Sequence, residues 1–364
     1  MYEVHVLPVG NRYKSGDAIA VRWGRPGAYK VLVYDGGSTD SGKALVTHVR
    51  DRFRSSRVDY VVSSHPDGDH ASGLVSVLKR LEVGELWMHR PWLHSSAVRD
   101  AVQPHSAVGT PLASRLRSKL RAARKLEIAA LQRGIPIHEP FQGADIGGFR
   151  VLSPAREWYL EHLLPAFGQP PPALLPAPSP TIAAAHPDPA DRESWDVELL
   201  RESVHTSADN EASVVLWGSF DGQGVLLTGD AGVRALSHAA DRAQAEGIDL
   251  PARLTLLQVP HHGSRHNVSP SVLDRLLGPR KPQDDGQATK RAFVSVGAGS
   301  VAHPHAMVTN ALLRRGATPY ATRGLMLSHG GGMPPPEGPA ALAFSEQVPP
   351  WEPHSADAGP PQDG

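Results

Sequence analysis

Apolar positions along this chain recur with two spacings, one of two residues and one of about 3.6, which predict strands and helices respectively. β-Branched and aromatic residues concentrate at residues 2–9, 18–23 and 30–34, and the turn at 24–27 predicts antiparallel pairing of the last two. Helical spacing then spans 43–53, a buried strand fits 58–63, and a helix fits 71–81. Further strands are predicted at 85–88, 149–152, 213–217, 225–227, 254–259 and 292–296, with helices near 232–246, 269–277 and 305–315. Mixed sheets with helices outside them predict an α/β (α+β) chain folded as a four-layer αββα sandwich.

One domain is expected over residues 1–330. A stretch at about 165–192 is too rich in Pro and Ala for a regular element and reads as a surface insertion; residues 331–364 read as a poorly ordered Pro/Gly-rich tail. Lys+Arg and Asp+Glu both total 37, so no global field draws the chain to a polyanion or a membrane, and any such grip must be local. The sequence has no cysteine, which excludes disulfides, thiolate ligands and a thiol nucleophile. No basic leader precedes an apolar run at the start, and no run of about 18 apolar residues occurs, so a soluble cytoplasmic protein is expected.

The chemistry concentrates at strand ends. Ser63-Ser64-His65-Pro66-Asp67-Gly68-Asp69-His70 places four candidate metal ligands, His65, Asp67, Asp69 and His70, directly after an apolar run. Any one of them alone suits a surface turn; imidazole and carboxylate donors packed this closely suit Zn²⁺ or Mn²⁺. Downstream, the run 225–227 ends in Thr228-Gly229-Asp230, and Asp230 can bridge two cations or cap the following helix. The run 254–259 leads into Pro260-His261-His262-Gly263-Ser264, where His261 is favoured as a ligand and His262 as its catalytic neighbour. Ala302-His303-Pro304 follows the last strand, and His303 could hold an anion or lie on the surface.

In this order the segments HPDGDH, TGD, PHHGS and AHP resemble the metallo-β-lactamase superfamily, and most of all the hydrolase domain of bacterial competence DNA-uptake channel proteins. The resemblance covers about residues 2–327 and implies the αββα sandwich, two divalent metals and hydrolysis by a metal-bound hydroxide oriented by Asp69. It makes Asp35 in Asp35-Gly36-Gly37 a supporting group that is not a ligand, gives Ser264 a supporting role, and matches Gly16-Asp17-Ala18 to an early motif. Two positions depart from the superfamily pattern. Asp67 stands for a histidine, which hardens the site toward Mn²⁺ or Mg²⁺ beside Zn²⁺, and Asn210 or His205 occupies the stretch of a further histidine. With no channel segment in this sequence, a free-standing relative is expected.

The substrate expected from the resemblance is a phosphodiester, DNA or RNA; the alternatives are a small-molecule phosphoester or a partner-gated metal-binding module with little activity of its own. Free-standing relatives beside anti-phage genes imply a defence effector restrained by a regulatory protein. A local cationic surface is available at 111–134, where Arg115, Arg117, Lys119, Arg121, Arg124, Lys125 and Arg133 face one acid, Glu127, while Leu112, Leu116, Leu120 and Ala123 form an apolar stripe. Arg115, Lys119, Arg121, Arg124 and Lys125 are the candidate nucleic-acid contacts, with a solvated helix face as the plainer alternative. The cluster Trp87-Met88-His89-Arg90-Pro91-Trp92 reads as packing beneath the site.

Overall fold

A computed structural model of the chain describes residues 1–10, 15–103, 111–169, 192–283, 288–331 and 340–346. Two seven-stranded sheets form its centre. The first contains β1 (Tyr2–Val6), β2 (Ala18–Arg25), β3 (Ala28–Gly36), β4 (Arg57–Val62), β5 (Glu82–Trp87), β6 (Ile137–His138) and β14 (Leu327–Gly330), in the order β14-β1-β2-β3-β4-β5-β6. The second contains β7 (Asp145–Ile146), β8 (Phe149–Ser153), β9 (Val215–Phe220), β10 (Gln223–Leu227), β11 (Leu254–Gln258), β12 (Lys290–Val294) and β13 (Ala317–Ala321), in the order β13-β12-β11-β10-β9-β8-β7. Strands β1 to β3 pair antiparallel, as the early turn predicts, and β3 to β6 run parallel.

Alternation of side chains builds the layers. Ile19, Val21, Leu32 and Tyr34 face inward to meet Phe149, Leu216, Val225, Leu227 and Phe293 between the sheets, whereas Ala18, Ala20, Val31 and Val33 face helices outside the first sheet. Those helices are α1 (Thr39–Asp51), α2 (Gly68–Ala71), α3 (Leu74–Arg80), α4 (Ser96–Val102) and α5 (Pro111–Gln132). Leu226, Leu257 and Val294 face the opposite way, toward α8 (Val233–Ala245), α10 (Pro270–Leu277) and α11 (Ala306–Arg314); short turns α6 (Arg156–Trp158), α7 (Ala208–Glu211) and α9 (Leu250–Arg253) complete the set. The result is the expected αββα sandwich.

The helix expected over 71–81 is two helices, α2 and α3, interrupted at Ser72 and Gly73. A Cβ on Gly73 would lie 1.9 Å from the Gly36 carbonyl oxygen, so the α2–α3 junction sits directly on the end of β3. This contact presses the metal-loop helix onto the strand that carries Asp35. Phe167 is buried in the core, while residues 170–191 of the Pro-rich stretch, and most of the tail, lie outside the described residues. The chain then returns along a clamp. Arg314, fully buried, pairs with Glu193 at 3.1 Å and donates to the Trp195 and Val197 carbonyls; buried Arg315 holds Glu198 at 2.8 Å and Asp274 at 2.7 Å. Residues 340–346 lie against the same region, with Ser345 N donating to Asn310 and Ala341 bridging to Tyr320. Among the described residues no helix is long and apolar enough to cross a membrane.

Candidate metal centre

The ligand loops emerge where strands of both sheets end on one common edge. Asp35 lies at the end of β3, residues 63–67 leave β4 for α2, Asp230 follows β10, His261 and His262 follow β11, and His303 follows β12. Gly16 closes the edge: a Cβ there would meet the Asp69 carbonyl oxygen at 2.3 Å, so this segment lies on the metal loop and brings Asp17 with it. Residues 261–263 are successively left-handed, with φ of 46°, 56° and 81°. Such a backbone costs about 1–3 kcal/mol at each non-glycine position and persists only where surroundings over-determine it. Here His261 N donates to the Gly229 carbonyl, Ser264 N to the His261 carbonyl and His305 N to the Gly263 carbonyl, and Gly263 packs on Pro304 with no room for a Cβ.

Three imidazoles are held by one nitrogen with the other presented to Asp230. His70 Nδ1 donates to Asp35 Oδ2 at 2.8 Å; Asp35 also accepts from Ser64 N and Ser64 Oγ. Because the Ser64 hydroxyl donates to Asp35, its oxygen accepts from His65 Nδ1 at 2.9 Å. Asn267 donates its amide to the Asp230 carbonyl, which leaves its oxygen to accept from His261 Nδ1 at 2.9 Å. The three Nε2 atoms then converge: His70 lies 3.4 Å from Asp230 Oδ1, while His65 and His261 lie 3.7 and 3.6 Å from Asp230 Oδ2. These separations exceed a hydrogen bond but match two donors on one ion, which lie about 3.4 Å apart at 2.1 Å bond lengths and a tetrahedral angle. His65 Nε2, His70 Nε2, Asp67 Oδ1 and Asp230 Oδ1 are all buried without a hydrogen-bond partner. Orphaned donors of this chemistry, converging on one carboxylate, fit a metal site.

A second convergence involves Asp69 Oδ2, which lies 4.0 Å from both His70 Nε2 and His262 Nε2. Electrostatics suit ligation at His65, whereas at His70 burial is outweighed by the charges of Asp230, Asp69 and Asp35, which hold the ring well above the usual imidazole range, so a cation would have to displace its proton. Burial and the charge of His70 hold His65 at about 4, so it is a neutral donor at neutral pH. Burial would raise Asp230, yet the surrounding histidines hold it well below the carboxylate range. Burial, with the charges of Asp230 and Asp67, pushes Asp69 up against the opposing pull of His70.

Every ligand predicted from the sequence, His65, Asp67, Asp69, His70, Asp230 and His261, reaches this edge. His262 reaches it as well, from the side of Asp69, and His303 stacks beside His261 with ring centroids 6.3 Å apart. Asn210 donates to Thr206 and lies 3.3 Å from His261 Nδ1, and Ser264 Oγ accepts from His266 N within the histidine turn. The cationic helix divides differently. Lys119 turns inward, 3.2 Å from Asp67 Oδ2 and 3.1 Å from Asp209 Oδ2, because the α5 stripe seats that face on the metal loop. Arg124 pairs with Glu127 and covers the Trp92 ring at 4.7 Å; Glu127 is a buried acceptor for Trp92 Nε1, not the exposed acid its neighbours suggest. Arg115, Arg121 and Lys125 remain exposed; the Leu112 side chain lies outside the described residues.

Two carboxylates were not singled out as site residues. Asp17 is fully buried, accepts from Gln258 Nε2 at 3.0 Å and lies 3.9 Å from His70 Nδ1. Its signal was the Gly-Asp-Ala motif. Asp209, the second partner of Lys119, precedes Asn210 in a turn whose pattern gives no hint of burial.

A sandwich of two mixed sheets with imidazoles and carboxylates gathered at their shared edge defines a metallohydrolase-type scaffold. The family model for the metallo-beta-lactamase superfamily matches residues 21–279, and the chain belongs to that superfamily, whose members are mostly metal-dependent hydrolases. Among solved structures it is similar to the metallo-beta-lactamase fold protein YhfI from Bacillus subtilis, at 10% identity and a TM-score of 0.40, covering 90% of this chain and 99% of that one. A diphosphatase from the PhnP family is similar at 11% identity and a TM-score of 0.33, covering 81% and 86%. A metallo-beta-lactamase from Thermotoga maritima is similar at 9% identity and a TM-score of 0.32, covering 63% and 78%. No curated protein matches the chain.

Proposed function

We propose that this chain is a metal-dependent phosphodiesterase acting on DNA or RNA. The observation that carries the reading is the oxygen-rich donor set: Asp67 keeps a buried, unbonded Oδ1 on the loop that also carries Asp69, where the superfamily pattern has a histidine, and Asp230 lies against His65 and His70 of the same loop. Carboxylate-rich sets favour Mn²⁺ or Mg²⁺ beside Zn²⁺, and such cations suit phosphate oxygens. Two bound cations would supply Lewis acidity and bring the pKa of a water toward about 7. His65, Asp67, His70, Asp69, Asp230 and His261 would hold them.

The remaining steps belong to side chains. Asp69, raised by burial and by neighbouring carboxylates, orients the attacking water and accepts its proton. His262, held neutral by burial, stands 4.0 Å from Asp69 Oδ2, takes that proton and delivers it to the leaving oxygen. His303, stacked beside His261, steadies charge on the leaving oxygen. The cavity against His65, His89 and Tyr159 measures about 10 Å³, room for about one water.

The test is hydrolysis of single- and double-stranded DNA, RNA and bis-p-nitrophenyl phosphate after chelation and addition of Mn²⁺, Zn²⁺ or Mg²⁺, with Asp69→Ala and His262→Ala alongside. Nucleic-acid cleavage lost in both variants is expected. Cleavage of the small diester alone would move the assignment to a small-molecule phosphoesterase, and silence with metal bound would favour a partner-gated module.

A further inference from the structure

We propose that the groove between α1, α3 and α5 is a binding track for the phosphodiester backbone of a nucleic-acid strand. The proposal rests on the phosphodiesterase reading and extends it to a surface outside the metal centre. The groove has a volume of about 580 Å³ and its charged lining is entirely cationic: Lys43, Lys79, Arg80 and Lys125. Lys43 is paired with exposed Asp40 at 2.7 Å. Among the described residues, Lys79, Arg80 and Lys125 have no carboxylate within ion-pair distance. In a chain of zero net charge, three uncompensated cations around one cavity form the local grip that a polyanion requires. Ser72, Ser76 and Gln132 add neutral donors, which suit phosphate oxygens and carry no base preference.

The position connects this surface to the chemistry. Ser72 lies two residues beyond His70, so the groove begins beside the metal loop. On α5, Lys119 touches Asp67, and Ala122, Lys125, Ala129 and Gln132, which lie about 60–140° round the helix from it, line the groove over the following turns. From residue 119 to residue 132 the helix rises about 20 Å, the axial length of roughly six phosphates of one B-form strand. A strand seated with one phosphate at the metals can therefore run along the groove. An acidic peptide would find the same cations but not their alignment with the metal loop.

The experiment measures binding of a fluorescein-labelled 20-nucleotide single strand to the metal-free full-length chain by anisotropy across a salt series. The partner variants are Lys79→Gln/Arg80→Gln/Lys125→Gln and the charge-reversed Lys79→Glu/Arg80→Glu/Lys125→Glu, with hydrolysis of bis-p-nitrophenyl phosphate followed in parallel. Each cation that releases counterions contributes about 0.7 to the slope for a single strand. The glutamine triple should therefore flatten the slope by about two and weaken binding at least about tenfold near 0.1 M salt, with the glutamate triple weaker still. Small-diester turnover should be unchanged in both, which shows an intact fold and metal centre. Equal affinity of wild type and both triples would overturn the track, as would absence of strand binding by the wild type. Equal competition by poly-glutamate would also overturn it, by assigning the groove to acidic polymers in general. Failure of the phosphodiesterase reading is separate: binding would still depend on these three residues while no nucleic acid was cleaved.

Discussion

Replacing Lys119 with methionine keeps most of the side chain's length and removes the ammonium lying between Asp67 and Asp209. Asp209 is 1% exposed, so its charge has little access to water once that ammonium is gone. Deleting one partner of a buried ion pair costs about 3–5 kcal/mol. Lys119 is itself 31% exposed, and solvent screening brings the expected loss to about 2 kcal/mol. In a chain of this length that corresponds to a melting temperature lowered by about 3 °C, read by scanning fluorimetry in excess chelator. The deficit should shrink as pH falls through the carboxylate range, because protonation of Asp67 and Asp209 removes the stranded charge in the variant and weakens the ion pairs of the wild type. It should also shrink when Asp209→Asn is added, since the double variant no longer buries an unpaired second carboxylate. Strictly additive losses in Lys119→Met and Asp209→Asn would refute the reasoning, as would an unchanged melting temperature in Lys119→Met.

The other expectations concern different parts of the molecule. Asp35→Asn, which can no longer accept from Ser64 and His70 together, should weaken metal affinity by about 10- to 100-fold in chelator competition; a change under twofold would show that Asp35 does not set the ligand orientation. His89, stacked on Tyr159, is pushed down to about 3 by burial and then by the charge of His94. An unfolded histidine binds a proton below about 6.5 and the folded one does not, so stability falls as pH falls through that window, by about 1.4 kcal/mol per unit from this residue. Denaturant titrations between pH 6 and 4 should find that slope reduced in His89→Phe, and an equal slope would count against it. Gly73→Ala places a methyl on the Gly36 carbonyl, with backbone on both sides, and should cost about 3 kcal/mol or more. A wild-type melting curve for that variant would contradict the close packing of α2–α3 on β3.

The layers of the fold were legible because alternation is strong where it matters: Ile19 and Val21 against Ala18 and Ala20, or Val225 and Leu227 against Leu226, each sort to opposite sides of a strand. Edge strands were not. β13 contains Pro319, which weakens a strand signal but is tolerated at the sheet edge where β13 lies, and β6 and β7 are two residues each. The candidate site was legible as far as local spacing reaches. His65 to His70 form one loop, and Asp230 and His261 end apolar runs. What holds them was less so, because Asp17 and Lys119 arrive from segments more than 50 positions from His70 and Asp67, and Asn267 and Asp209 from turns with no periodicity. Lys119 illustrates the limit: helical spacing identifies the faces of α5 but not which loop one of them will touch.

The arginine clamp has a consequence for how this chain can change. Leu163, Leu164 and Phe167 are anchored in the core on one side, and Glu193, Trp195 and Val197 are gripped by Arg314 on the other, so residues 170–191 join two fixed points. The entropy of closing such a connection grows only with the logarithm of its length, about 0.6 kcal/mol for each doubling. The clamp therefore fixes Glu193, Trp195 and Val197 by contacts that lie wholly on their own side of that segment. Sequence added between Gln169 and Arg192, whether a reporter placed by design or residues gained by drift, is therefore expected to leave these two anchors in place.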